Sequence, residues 1–193
     1  MMKIKTNLLG SFLLLAGSFA AAGFEIDSSW QIVCPPNAVP TERQAAADTA
    51  KYIKLVTGMD LKIVKTAVPG KQSILIRKNT KLPEEAWDVR RVPEGLLISG
   101  GIPNGMLYAC GEFLEHGLGC RFLASDITYI PKKKKLILPD DFKLAGKPFF
   151  AGRSVYRGWV KGTTEFNVRS KMNGGIFAGP EWGWYDRVVD NQG

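Results

Sequence analysis

Residues Leu96–Pro131, LLISGGIPNGMLYACGEFLEHGLGCRFLASDITYIP, constrain the fold of this chain more than any other stretch. Leu96, Leu97 and Ile98 form an apolar run too short for a helix and bounded by turn residues, which predicts a buried strand. Gly100 and Gly101 allow a tight turn, and Pro103 suits a first helical turn, where its missing N–H is not needed. Met106, Leu107, Cys110, Phe113 and Leu114 then recur at helical spacing on one face, with Glu112 and Glu115 on the other, so this helix packs against something. His116 and Gly117 make a normal helix end, and Cys120, Phe122 and Leu123 resume extended chain. A strand, a glycine turn and a helix also describe a nucleotide site. Gly-Gly-Ile-Pro-Asn-Gly, however, has neither the G-x-G-x-x-G spacing nor the Lys-Ser/Thr of a phosphate loop, and Pro103 removes a backbone donor. The turn therefore reads as one that lets a helix lie close on a sheet.

The chain before it supplies the rest of that sheet. Trp30–Cys34 reads as a strand closed by Pro35-Pro36-Asn37. Thr41 begins a helix, with Gln44 completing a capping-box pattern, a buried stripe of Ala46, Ala50, Ile53 and Val56, and Gly58 as its stop. Leu61–Val64 and Ser73–Ile76 are short strands separated by Pro69-Gly70. Trp87 and Val89 alternate with Asp88 and Arg90 in a fourth strand. Two main helices among about five to seven strands predict an α+β fold whose sheet is covered mainly on one side. The charge run Lys132–Lys135 reads as a solvated turn before an edge strand at Leu136–Pro139, with contact to an acidic polymer as the alternative.

The first residues bear on the compartment. Lys3 and Lys5, the run Leu8–Phe19 and the small residues Ala20-Ala21-Ala22-Gly23 have the form of a secretory signal peptide over residues 1–22. The run is too short to span a bilayer, and no other stretch is apolar enough to do so. The chain is therefore expected to be secreted or periplasmic. Its formal net charge of +8 is spread along the sequence. With an export signal and no binding motif, that surplus does not predict a nucleic-acid partner. Three cysteines are too few for a disulfide scaffold; Cys34, Cys110 and Cys120 read as buried thiols, with a Cys110–Cys120 bridge as the alternative in an oxidising compartment. One histidine and three scattered cysteines match no metal-ligand spacing, and no cofactor is expected.

Several segments in order also resemble a known domain. They are Ala46-Ala47, Tyr52-Ile53 and Thr57-Gly58; Ile98-Ser99-Gly100-Gly101; Gly105-Met106-Leu107-Tyr108; Glu112-Phe113-Leu114-Glu115; Gly119-Cys120-Arg121-Phe122; and Thr128-Tyr129-Ile130-Pro131. The chain from Trp30 to Arg153 resembles the non-catalytic N-terminal domain of bacterial α-glucuronidase-like glycoside hydrolases and of the DUF4838 family. It is also similar to the corresponding domain of β-hexosaminidases. Phe122 departs from the pattern, which more often has Trp. The resemblance implies an N-terminal domain over residues 24–147 and the start of a (β/α)8 barrel over residues 148–193. Phe149–Val155 is its expected first strand, Arg169-Ser170-Lys171-Met172-Asn173 part of its first helix, and Ile176–Ala178 its next strand. Ser170 stands where the family more often has Asn.

A closed barrel needs roughly 250 residues, with its chemistry on loops after several strands, so residues 148–193 hold only its opening. Glycoside cleavage generally uses two carboxyl groups flanking one bond. Glu165, Glu181, Asp186 and Asp190 are the carboxylates after Pro148, and nothing in the sequence pairs two of them, so no catalytic residue is assigned. Arg153 and Arg157 are the stronger binding candidates. Arginine at the end of a first barrel strand can hold a sugar carboxylate in a bidentate pair, but arginines at a domain junction also bridge to the neighbouring domain. Trp159, Trp182 and Trp184 can stack on sugar faces or pack beneath barrel helices. The expected partner is a carbohydrate, by resemblance a uronic-acid-containing glycan. The expected role is a supporting N-terminal fragment of a secreted glycoside hydrolase that lacks its own catalysis. The alternative is a stand-alone secreted carbohydrate-binding or interaction domain.

Overall fold

The structure, a computed structural model, describes residues 23–153 and 164–173. In chain order its elements are β1 (Gly23–Ile26), β2 (Gln31–Val33), α1 (Pro40–Thr57), β3 (Lys62–Val64), β4 (Ser73–Lys78), β5 (Trp87–Val92) and β6 (Gly95–Gly100). Then come α2 (Gly105–Glu112), a π-helical turn (Phe113–Gly117), β7 (Arg121–Phe122), β8 (Thr128–Tyr129), β9 (Leu136–Pro139), β10 (Lys143–Gly146) and α3 (Thr164–Arg169). The expected signal peptide lies outside the described residues.

The short apolar runs become one mixed sheet of six strands in the order β10-β5-β6-β4-β2-β3. β3, β2, β4 and β6 run parallel, whereas β5 and β10 join antiparallel at the other edge. Ile32, Ile74, Ile76, Val89, Leu96 and Ile98 point from it into a single core. Ala45, Ala46, Ile53 and Val56 of α1 meet them there, as do Met106, Ala109 and Cys110 of α2. The small alanines allow α1 to sit near the strands. This is the predicted α+β arrangement. Leu136–Pro139 is a strand as expected, but it pairs with β1 in a separate ribbon, burying Leu136 and Leu138 and exposing Ile137.

Both helices begin differently from expectation. α1 starts at Pro40, one residue before Thr41, because proline suits the first helical position. Only half of a capping box therefore forms, because the Val39 side chain has no acceptor: Glu42 Oε2 accepts the Val39 N–H at 2.9 Å, and Oε1 accepts the Lys78 N–H at 2.7 Å. Gln44 instead donates to Asp48 at 2.9 Å. Gly58 stops the helix as read, with φ 81° and its N–H on the Lys54 carbonyl. Pro103 follows a cis peptide bond and stands outside α2, whose N-cap is Asn104. That helical segment ends at Gly117 with His116 in its last turn, as expected, but not as a regular α-helix. It widens into the π turn, where the Leu118 N–H reaches the Phe113 carbonyl, and Gly119 takes the left-handed position at φ 84°. Gly117 sits tightly against the Phe113 ring, where a side chain would collide.

Lys132–Lys135 is solvated as expected, with Lys132, Lys134 and Lys135 exposed, and it also straps the helices. Lys132 Nζ donates to the Leu55 carbonyl at 2.6 Å, the Lys133 N–H to Val56 at 2.9 Å, and Lys133 Nζ to Gly117 at 3.4 Å. Two ammonium groups thus face the carbonyl-rich ends of α1 and the π turn, where cations are favoured. Lys135 pairs with Glu25 on β1 at 2.9 Å.

All three cysteines are buried free thiols, so the Cys110–Cys120 bridge is not formed. Burial pushes the Cys110 thiol up to about 11 and the Tyr52 phenol up to about 12. A group whose protonated form is favoured by folding stabilises the fold below its unfolded value and loses that contribution as pH rises through its folded value. Stability is therefore expected to fall between about pH 9 and 12 as these two groups ionise. Urea midpoints across that range for the protein and for Tyr52→Phe check this; a midpoint independent of pH would contradict it.

Candidate functional site

Arg153 leads to the site, because it is the binding candidate that lies among the described residues. Glycine brings three segments together around it. A Cβ on Gly101 would lie 2.3 Å from the Pro83 carbonyl oxygen, and one on Gly105 2.3 Å from that of Ala86, so the loop before β5 rests directly on the start of α2. Glu85 in that loop has a left-handed backbone, φ 55°, and its N–H donates to the Ile102 carbonyl at 3.0 Å. Glu85 Oε1 accepts from the Tyr108 hydroxyl at 3.0 Å and from Asn104 Nδ2 at 3.2 Å. Arg153 Nη2 completes the network, donating to Glu85 Oε2 at 2.6 Å and to the Tyr108 oxygen at 3.0 Å.

The electrostatics give these groups distinct roles. Burial raises the Tyr108 phenol, and the neighbouring Glu85 charge raises it further, so at neutral pH it is a hydrogen-bond donor and not a nucleophile. Burial works against the Arg153 charge, but the bonds to Glu85 and Tyr108 outweigh it and hold the guanidinium above its ordinary value. One Nη of Arg153 is therefore committed to Glu85. The structure has Arg153 bridging to Glu85 and Tyr108, 68 and 45 residues earlier in the chain.

Beside this network is an open groove of about 280 Å³, lined by Pro83, Glu84, Glu85, Lys147, Phe149 and Arg153. Phe149 and Phe150 meet edge to face, with centroids 4.9 Å apart, and are 91% and 67% exposed. An aromatic wall next to a carboxylate and an ammonium group can hold the apolar face and hydroxyls of a sugar ring.

The expected first barrel strand is not formed over its described part, Phe149–Arg153, where no neighbouring strand pairs with it among the described residues. Of the Arg169–Asn173 segment only Arg169 is helical; the chain leaves α3 there and turns through Lys171, at φ 57°. Arg157, Trp159, Trp182 and Trp184 lie outside the described residues, as do Ile176–Ala178, Glu181, Asp186 and Asp190. Glu165 accepts from Tyr52 and Arg169, both at 3.4 Å, and shares Arg169 Nη2 with Asp48, which is bound at 2.7 Å. Among the described residues no group of three His, Cys, Asp or Glu side chains is placed to hold a metal ion. None of their helices is long and apolar enough to cross a membrane. Sequence reasoning missed Glu85 and Tyr108. Glu85 lies in a polar loop where a buried carboxylate gives no signal, and Tyr108 lies among apolar helix residues.

No family model and no curated protein matches the chain. Solved structures do. A family GH115 4-O-methyl-α-glucuronidase with specificity for decorated arabinogalactans aligns with 78% of this chain at a TM-score of 0.60 and 16% identity. The GH20 β-N-acetylhexosaminidase from Streptomyces coelicolor A3(2) aligns with 70% at a TM-score of 0.50 and 16% identity. A mutant Streptomyces plicatus β-hexosaminidase aligns with 70% at a TM-score of 0.50 and 15% identity. The fold is one that occurs within glycoside hydrolases. The chain spans about a quarter of these enzymes, 25% of each. At such identities this glycoside-hydrolase-like fold is what is shared, and the roles of Glu85, Tyr108 and Arg153 rest on their geometry in this chain.

Proposed function

We propose that this chain is the N-terminal, supporting part of a secreted glycoside hydrolase of α-glucuronidase-like type that acts in polysaccharide breakdown. Residues 24–147 supply the non-catalytic domain, and residues 148–193 open a (β/α)8 barrel. The observation that carries this reading is the fold shared with about a quarter of a GH115 α-glucuronidase and of GH20 hexosaminidases. The export pattern over residues 1–22 supports a secreted or periplasmic location, with a mature start near Gly23, where β1 begins. The glycan acted on contains uronic acid in this reading, as the resemblance implies. The test is an assay of the purified chain against aryl glycosides and aldobiouronic acids. No turnover above background is expected; turnover abolished by substituting an Asp or Glu after Pro148 would overturn the supporting role.

The exposed Phe149–Phe150 wall favours a second reading, a stand-alone carbohydrate-binding domain. Saturable binding of a glucuronic-acid-bearing oligosaccharide by this chain, lost in Phe149→Ala, would put that reading first.

A further inference from the structure

Three carboxylates of the N-terminal unit are drawn out of water at one side of it. Asp48 is on α1, Glu112 ends α2, and Glu85 is in the loop before β5. Their side chains are 7%, 12% and 8% exposed. Burying unpaired charge is strongly unfavourable, so each needs a cation or must stay protonated. Each meets a cation from the segment that follows the expected domain boundary: Asp48 meets Arg169 at 2.7 Å, Glu112 meets Lys171 at 2.5 Å, and Glu85 meets Arg153 at 2.6 Å. Among the described residues the other hydrogen-bond donors to Asp48 and Glu85 are neutral, namely Gln44, Asn104 and Tyr108. His116 lies 3.6 Å from Glu112.

Every one of these cations also faces an aromatic ring of the same unit. Arg169 lies 4.8 Å from the Phe122 centroid and 5.4 Å from that of Tyr52, Lys171 lies 5.2 Å from Trp87, and Arg153 lies 5.7 Å from Tyr108. Val168 adds an apolar contact, buried with Leu107 and Tyr108. The segment closes on itself as well: the Arg153 N–H donates to Asn173 Oδ1 at 3.0 Å, and the Asn173 N–H to the Arg153 carbonyl at 3.1 Å.

We propose that this side of the α1–α2 layer is a docking surface of three carboxylate-and-ring sockets for basic side chains, and that its occupants are Arg153, Arg169 and Lys171 of the same chain, carried on the described residues 148–153 and 164–173. The proposed domain over residues 24–147 then keeps these three carboxylates paired with cations that lie beyond it, and cutting the chain at Lys147-Pro148 would sever those contacts. The surface selects for a guanidinium and an ammonium two residues apart at the end of a helix, with a second guanidinium sixteen residues earlier. This holds whether or not the enzymatic reading is right, because it depends on no glycan.

Hydrogen exchange on the full chain tests it. The Ser170, Lys171 and Met172 amides donate to Phe166, Val168 and Asn167 within the segment, and docking is expected to protect them. Arg169→Met leaves Asp48 buried and unpaired and should speed their exchange on the order of a hundredfold. Adding Asp48→Asn should recover most of that loss, since the orphaned charge is gone. Loss of packing alone would make the two substitutions additive. If Arg169→Met does not fold, the more exposed pair gives the same cycle through Lys171→Met and Glu112→Gln. Exchange at unprotected rates in the unmodified chain, or additivity in the cycle measured, would overturn the proposal. So would protection that rises with protein concentration alongside a dimer in sedimentation, which would assign the occupant to a second copy.

Discussion

Gly100→Ala is expected to destabilise the protein by about 3 kcal/mol or more, which for a single added methyl group is a large effect. The added carbon would stand 2.1 Å from the Gly105 carbonyl carbon and the Met106 nitrogen, and 2.3 Å from the Gly105 oxygen. All three are backbone atoms, so no side chain can swing aside. Relief requires the start of α2 to lift from β6, which is a central strand paired with both β4 and β5. Lifting α2 would loosen the contact that buries Met106, Ala109 and Cys110. Gly111→Ala is the control, because its added carbon meets nothing within 4 Å and alanine favours a helix over glycine by about 1 kcal/mol. Urea unfolding of the two variants should shift in opposite directions. Equal midpoints would show that α2 does not lie this close.

Arg153→Ala should cost about 3 kcal/mol, the low end for breaking a buried pair, because the Arg153 side chain remains 16% exposed. Among the described residues, the variant leaves the Glu85 carboxylate with Tyr108 and Asn104 as donors. Combining it with Glu85→Gln should return much of the stability, since the doubly neutral network needs no cation. Arg153→Lys should recover less, because one ammonium cannot reproduce the fork that spans Glu85, the Tyr108 oxygen and the Phe150 carbonyl. Denaturant unfolding of the four proteins decides between the two roles open to this residue. A variant that unfolds like the unmodified protein but no longer binds a uronic-acid oligosaccharide would make Arg153 a ligand group.

The strands and both main helices were legible because burial imposes a period on apolar residues. Ile74 and Ile76 alternate on a strand, and Ile53 and Val56 share a helical stripe, each in the core where the pattern puts them. β1 and β10 were not legible, since they are four-residue strands with few apolar positions, defined by pairing with β9 and β5. The helix starts shifted for local reasons: Pro40 moved the N-cap to Val39, whose N–H Glu42 accepts, and the chain around Pro103 stayed outside α2.

The candidate site shows the other limit. Arg153 stood out as a charge at a junction, yet its partner lies sixty-eight residues earlier in an unremarkable polar loop. Asp48, Glu112 and Glu85 each have the composition of ordinary surface residues. The sequence by itself determined the α+β class, the short buried strands and the close glycine contact beneath α2, because these follow from local spacing and from the absence of a side chain. Only the tertiary structure decided which carboxylates are buried and which cations answer them. Charge pairing between distant segments leaves no periodicity along the chain, and its energy depends on how far folding removes both partners from water.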